Sequence, residues 1–248
     1  MVVGDSHAMA LMPAFEQVAI SRREDVLFAG LLGCPPLLGI AVRGGEEKIR
    51  NCQALNAKVL RYVTEHGIPD VLLVASWSTY TDGGDYHGRF YRVLMTATSP
   101  PTLAGSRAAF EFGLDETLAR YRAAGIRLHI VQKVPTQLRL PTDLVRAVVT
   151  SRRDPATAIR SLSVPLSEHH RLSAYDAAEF ARRDIRPDVR RPAALLDLDS
   201  AYCDREVCAF AEPNVSYYVD TQHLSTSGAK LAAPLIAERF AAIDALRK

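Results

Sequence analysis

Short apolar runs alternate with longer stretches in which apolar residues recur every three or four positions, and this alternation runs through most of the chain. Val2-Val3 begins a strand that turns at Gly4. Leu11, Phe15, Val18 and Ala19 then fall at helical spacing and predict a helix over 8–21, in which Pro13 is tolerable only within the first turn. Residues 26–29 read as a buried strand ending in the breaker-rich Gly30-Leu31-Leu32-Gly33-Cys34-Pro35-Pro36, and Ile49, Cys52, Leu55, Val59 and Val63 mark a helix stopped by Gly67. The unbroken apolar run 71–75 is the kind a central parallel strand makes when both its faces are covered. From 76 to 105 the pattern is irregular, with Gly83-Gly84 and Pro100-Pro101, and predicts a long loop at a strand's carboxyl end. A helix near 107–124, a strand over 126–131, a mostly helical region over 135–188 and a short strand over 194–198 follow. Within that helical region, 161–165 fits no clear pattern. The apolar stretch 215–219 and a terminal amphipathic helix over 227–246 complete the chain.

Alternating strands and helices argue for a parallel sheet with helices on both faces, whose active site lies at the strands' carboxyl ends. There is no internal repeat, low-complexity tract or clear linker, so 1–248 is expected to form one domain. The first strand looks clipped, with three residues before Gly4 where a central strand has about five or six.

Composition narrows the class. Of the 248 residues, 48% are hydrophobic and 23% charged, near the globular average, which argues against disorder. A formal charge of +2 is too small to argue for nucleic acid as a partner, and Arg pairs such as Arg22-Arg23 and Arg182-Arg183 read as solvated surface. No apolar run reaches the roughly 20 residues that span a bilayer, and a basic-then-apolar leader is absent from the first residues. The four cysteines, Cys34, Cys52, Cys203 and Cys208, permit three pairings if oxidised. Zinc would need two close pairs, which Cys34 and Cys52 do not supply, and free buried thiols remain open.

The chemistry lies at the two ends. Gly4-Asp5-Ser6-His7 follows the first strand and opens the first helix, while Asp220-Thr221-Gln222-His223-Leu224-Ser225 follows residues 215–219. A serine hydroxyl needs a base within hydrogen-bond reach and a third group to orient that base. With two residues between them, Asp220 can reach Nδ1 of His223 and leave Nε2 for Ser6. At a helix N-terminus, Ser6 also lies beside free N–H groups that stabilise an oxyanion.

This constellation resembles the SGNH hydrolase superfamily, which carries a Gly-Asp-Ser block near the start and an Asp-x-x-His block near the end. The variant His7 after the serine, Gly33-Cys34-Pro35-Pro36-Leu37, Val74-Ala75-Ser76-Trp77-Ser78-Thr79-Tyr80 and Cys203-x4-Cys208 look, more closely, like the SGNH domain fused to the C-terminus of membrane-embedded acyltransferase family 3 proteins. The resemblance covers about residues 2–236, with no motif between 135 and 190. It implies a three-layer α/β/α sandwich around a mostly parallel five-stranded sheet of the flavodoxin-like, SGNH hydrolase type. It also implies a periplasmic domain, within or beside an inner-membrane acyltransferase, that O-acylates cell-surface glycans such as lipopolysaccharide. The partners would then be a glycan acceptor, an acyl donor and a membrane acyltransferase family 3 domain. Neither cofactor nor metal is implied. Ser6 would carry the acyl group, His223 would act as base then acid, Asp220 would orient it, and Cys34–Cys52 and Cys203–Cys208 would be disulfides, as suits an oxidising compartment. The clipped first strand would then mark where a larger membrane acyltransferase was cut.

One departure stands out. The superfamily's oxyanion Asn has no counterpart at Ala75-Ser76-Trp77. The Ser6 and Gly33 N–H groups are therefore expected to carry the oxyanion, with Trp77 or Ser76 as substitute donors. His7 and Tyr80 are candidate substrate contacts, and Trp77 and Tyr80 could stack on a sugar or simply pack. His169-His170 beside Glu168 suggests a metal only superficially, because neighbours on a helix point apart and should be solvated. Three functions compete: an O-acyltransferase, an esterase of the same fold that passes the acyl group to water, and a non-catalytic glycan-binding domain.

Overall fold

The computed structural model describes residues 1–82, 94–96 and 98–246. In chain order the first elements are β1 (Val2–Gly4), α1 (Ser6–Arg22), β2 (Phe28–Gly30), β3 (Ala41–Val42), α2 (Glu46–Glu65), β4 (Asp70–Val74) and α3 (Trp77–Thr81). Next come β5 (Leu94–Met95), α4 (Leu103–Ala123), β6 (Arg127–Val131), α5 (Pro141–Thr150), α6 (Pro155–Leu162), β7 (Val164–Pro165), α7 (Leu166–Leu172) and α8 (Ala174–Arg182). The last are β8 (Ala193–Leu196), α9 (Asp199–Tyr202), β9 (Val207–Cys208), β10 (Ala211–Glu212), β11 (Val215–Ser216), α10 (Thr226–Lys230) and α11 (Ala233–Ala245).

The central sheet has five parallel strands in the order β2-β1-β4-β6-β8. Successive strand residues point to opposite faces, and here each face has its own core. Val2, Leu72, Val74 and Val131 pack with Leu11, Phe15 and Val18 of α1 and Ile236 of α11. Val3, Val71, Leu73, Leu128 and Ile130 pack with Val59 and Val63 of α2, Phe110 and Leu114 of α4 and Phe180 of α8. Burial on both faces is why β1 and residues 71–74 of β4 are apolar without interruption; in β6 the run is broken by the buried His129, whose Nε2 lies 2.9 Å from Asp70 Oδ1. The two covered faces give the three-layer α/β/α fold expected from the resemblance.

Several boundaries differ from the sequence reading, each for a local reason. Helix α1 begins at Ser6, so Pro13 lies in its interior rather than its first turn. Burial of Leu11, Ala14, Phe15 and Val18 against the sheet outweighs the roughly 3 kcal/mol that an interior proline costs a helix. The long loop predicted over 76–105 instead holds α3, β5 and the first residues of α4; its Gly83-Gly84 lies outside the described residues. The Thr102 hydroxyl accepts the Gly105 N–H at 3.0 Å and starts α4 earlier than the apolar spacing implied. Residues 164–165 form β7, paired antiparallel with β9. The terminal helix divides into α10 and α11 because Pro234 suits a helix's first turn and not its interior.

Gly4 closes β1 where the backbone passes nearest its neighbours. A Cβ there would stand 1.8 Å from the Val74 carbonyl oxygen and 2.8 Å from Ala8 Cβ. Backbone cannot yield as a flexible side chain does, so Gly4→Ala is expected to destabilise the fold by about 3 kcal/mol, the upper end of ordinary overpacking. A urea unfolding midpoint unchanged from wild type would contradict this seating of β1 against β4.

Candidate active site

All the sheet's strands end on one side, and β1 presents Asp5 and Ser6 there. Asp5 caps α1, its Oδ1 accepting the His7 N–H at 2.8 Å. Its Oδ2 accepts the Ser76 N–H at 3.1 Å and the Tyr80 hydroxyl at 2.7 Å. One carboxylate, 1% exposed, thus ties the β1–α1 turn to the β4–α3 turn. Ser6, the first residue of α1, is partly exposed beside it.

The Asp220–His223 turn is closed by Val219 donating its N–H to the His223 carbonyl at 2.9 Å and by the Tyr218–Leu224 bridge. Asp220 Oδ1 accepts the Gln222 and His223 N–H groups at 2.8 and 2.7 Å, the local turn that aspartate favours. Its Oδ2 lies 2.7 Å from His223 Nδ1, and His223 Nε2 lies 2.7 Å from Ser6 Oγ. With the ring proton on Nδ1 donated to the carboxylate, Nε2 is left to accept from the Ser6 hydroxyl. The three side chains, from ends of the chain 217 residues apart, form one hydrogen-bonded row. Burial alone would push Asp220 upward. The bond to the His223 ring, then the N–H groups of Gln222 and His223, outweigh it and hold the carboxyl down at about 2. The His7 ring packs against that of His223, centroids 4.6 Å apart and tilted by 39°.

Gly33 sits in a turn at the end of β2, the strand beside β1. The turn closes with Cys34 N–H donating to the Leu31 carbonyl at 3.0 Å, and Gly33 has a φ of +65°, a conformation that favours glycine. The Cys34–Cys52 disulfide fixes the following residues to α2. Asn56 Nδ2 donates to the Pro35 and Leu37 carbonyls, both at 2.9 Å. The second disulfide joins Cys203 to Cys208, so both bridges implied by the resemblance are present.

Other expected site residues are placed differently. Trp77 and Tyr80 are fully buried, so neither ring has a face for a sugar. Trp77 Nε1 donates to the Val131 carbonyl at 2.8 Å and the Ser76 N–H to Asp5 Oδ2, so these two N–H groups are already engaged within the fold. Tyr80 serves Asp5, and His7, 6% exposed, offers little surface to a substrate. For Ser76, Trp77 and Tyr80 the physical reason is shared: the segment after β4 folds inward as α3 instead of forming a surface loop. His169 is likewise buried, its Nε2 at 2.9 Å from Asp199 Oδ1, while the exposed His170 reaches Asp199 Oδ2 at 3.2 Å.

Three contributors escaped the sequence reading. Asn56 was legible in principle, as a polar residue in the stripe Cys52-Val59-Val63 on the buried face of α2. Gln137 donates its N–H to the Thr221 carbonyl at 2.7 Å, steadying the Asp220 turn, and Lys133 lies buried just past β6. Nothing in the surrounding pattern marks either. A groove of about 720 Å³ between α2 and α4, floored by Leu38, Ala57 and Leu60, holds none of the expected site residues. Beside the histidine pair the cleft is narrow, about 10 Å³, lined by His7, Ala75, Lys133, Gln222 and Leu224.

Comparison with known proteins gives one family. The family model described as the SGNH domain fused to AT3 domains matches residues 1–238. Among solved structures, the periplasmic domain of a lipopolysaccharide acetyltransferase from Salmonella ser. Paratyphi A is similar in fold, with a TM-score of 0.65 at 16% identity over 97% of this chain and 83% of that one. A putative acylhydrolase from Bacteroides fragilis aligns at a TM-score of 0.48 and 11% identity, over 96% and 83% of the two chains. A GDSL-like lipase from Bacteroides thetaiotaomicron gives 0.48 and 11% over 98% and 87%. No curated protein matches the sequence.

Proposed function

Since the chain belongs to the family of SGNH domains fused to AT3 domains and is an enzyme of the SGNH type, we propose that it transfers an acyl group, most simply acetyl, through an ester on Ser6 to a hydroxyl of a cell-surface glycan. The observation that carries this reading is the Asp220–His223–Ser6 row, with 2.7 Å at both of its links. In the first half-reaction, Ser6 Oγ attacks the donor's carbonyl carbon as its proton passes to His223 Nε2. The negative oxygen of the tetrahedral intermediate is held by the Ser6 and Gly33 N–H groups, and Asp220 stabilises the imidazolium. The intermediate collapses when His223 protonates the leaving group, and acyl-Ser6 remains. In the second, a sugar hydroxyl gives its proton to His223 and attacks the acyl-serine; collapse transfers the acyl group to the sugar and returns the proton to Ser6 Oγ.

The Cys34–Cys52 bridge and Asn56 support the assignment of Gly33, because a donor held before the reaction needs no reorganisation during it. Ser6, Asp220 and His223 are all partly open to solvent, which suits an acceptor attached to a large polymer. The family's fusion to AT3 domains supports a membrane acyltransferase as the source of the acyl group and the periplasm as the site of action. The similar Salmonella domain belongs to a lipopolysaccharide acetyltransferase, so a lipopolysaccharide-type glycan is the acceptor proposed here.

The experiment follows p-nitrophenyl acetate consumption with and without de-O-acetylated bacterial polysaccharide, and detects sugar acetylation by proton NMR. Added polysaccharide should speed nitrophenol release and gain acetyl esters. Release indifferent to polysaccharide, with free acetate as product, would assign the chain as an esterase. No release, together with no labelling of Ser6 by a fluorophosphonate, would leave a non-catalytic domain.

A further inference from the structure

His223 is held at both ring nitrogens, Nδ1 by Asp220 and Nε2 by Ser6, yet this row lies on an open surface: the His223 side chain is 24% exposed and that of Asp220 44%. Hydrogen bonds that water can replace restrain a side chain weakly. An imidazole held by them alone can turn at its side-chain torsions toward solvent and exchange both partners for water. A base that spends part of its time turned away loses the near-attack geometry that the reaction needs. What closes that path has to be packing against the face of the ring, because a packed face removes rotamers that hydrogen bonds leave open.

His7 supplies that face. Its ring is 6% exposed and lies against the ring of His223, centroids 4.6 Å apart and tilted by 39°. Its backbone N–H donates to Asp5 Oδ1 at 2.8 Å, so the wall is fixed by the same cap that presents Ser6. Serine and wall are neighbours in the chain and move together. The cleft beside the two rings is bounded by Ala75 after β4 and by Gln222 and Leu224 on either side of His223. At about 10 Å³ it has room for no more than one water, so neither an acyl nor a sugar group enters it. The contact that His7 makes toward the reaction is therefore with the base.

We infer that His7 is a positioning residue of the acylation site: its ring is the wall that keeps the His223 imidazole turned toward Ser6 and Asp220. The inference rests on the proposed reading of Ser6 as nucleophile. Two other roles give different results, a ring that only fills space and a ring that touches the substrate. His7→Ala removes the wall and keeps the backbone N–H that caps α1, and alanine suits a helix. His7→Phe and His7→Leu put back an apolar face without ring nitrogens.

Three readouts are followed: the rate at which a fluorophosphonate labels Ser6, kcat and KM for p-nitrophenyl acetate, and the low-field proton resonance of His223 Nδ1. His7→Ala should label and turn over about 10- to 100-fold more slowly, the effect of a misplaced catalytic group, with KM unchanged. Its Nδ1 proton should broaden through exchange with water. Whichever of His7→Phe and His7→Leu melts at the wild-type temperature should recover both the labelling rate and the sharp proton resonance. Wild-type labelling and an unchanged resonance in His7→Ala, whatever its melting temperature, would overturn the inference and leave a ring that only fills space. A raised KM with kcat and the resonance unchanged would overturn it in favour of substrate contact. Slow labelling that a well-folded Phe or Leu variant fails to rescue would overturn the wall role as well. Wild-type protein that takes no label would instead refute the nucleophile reading, and the Nδ1 resonance would then decide the His7 inference alone.

Discussion

Ser6→Ala should lower acyl turnover by on the order of 10⁶-fold, as removal of the serine does where all the chemistry passes through one hydroxyl. The reason lies in what the variant keeps as well as in what it loses. Alanine suits the first turn of a helix, and Asp5 continues to cap α1 through the His7 N–H. The His223–Asp220 link at 2.7 Å does not depend on the serine, and the Ser6 backbone N–H survives the change. Unfolding temperature should therefore move little, while p-nitrophenyl acetate turnover falls to the background rate and the acyl adduct disappears from the intact-protein mass spectrum. Substantial turnover by correctly folded Ser6→Ala protein would rule out the serine ester and with it the proposed function.

Asp220→Asn should lower turnover by about 10⁴-fold with the site nearly superimposable on wild type, the effect that loss of the orienting carboxylate has in other serine enzymes. Asparagine Oδ1 can still accept the Gln222 and His223 N–H groups that shape the turn. Its amide nitrogen, however, donates where the carboxylate accepted, so His223 Nδ1 becomes an acceptor and the ring proton moves to Nε2. The face toward Ser6 then donates and can no longer take the serine proton. The same residue predicts a pH effect on stability. Asp220 is held at about 2, below the roughly 3.9 of an unfolded aspartate, so its stabilising contribution is complete above that value and is lost as pH falls through about 2. Urea midpoints of wild type and Asp220→Asn should differ by a constant amount down to about pH 4 and converge toward pH 2. A difference that persists undiminished at pH 2 would contradict the depressed carboxyl.

Much of this site was legible because its signals are local. Gly4-Asp5-Ser6 announces a turn from strand to helix, and Asp220-x-x-His223 places a carboxylate within one turn of an imidazole. Each constraint acts within a few residues. The apolar run of β4, residues 71–74, was equally legible, since a strand covered on both faces favours apolar residues at every position. That Trp77 and Tyr80 pack inside rather than face solvent was not legible, for the opposite reason. A segment of Ser, Thr, Tyr and Trp has the composition of a surface loop, and only the buried Asp5 carboxylate, contributed from 75 residues away, explains why Tyr80 turns inward. Pro13 misled in the same way, because the cost of an interior proline is local while the burial that outweighs it comes from the sheet.

The sequence by itself therefore determined the layered α/β fold and which three side chains could meet at the carboxyl end of the sheet, because hydrophobic period and short motifs are properties of neighbouring residues. Tertiary structure alone decided that they do meet, that Gln137 and Asn56 steady the loops around them, and that Lys133 is buried against Ser78. These are contacts between segments far apart in the chain, and their sign depends on burial: the same lysine is an ordinary solvated charge on a surface and a strong source of electrostatic field once water is excluded.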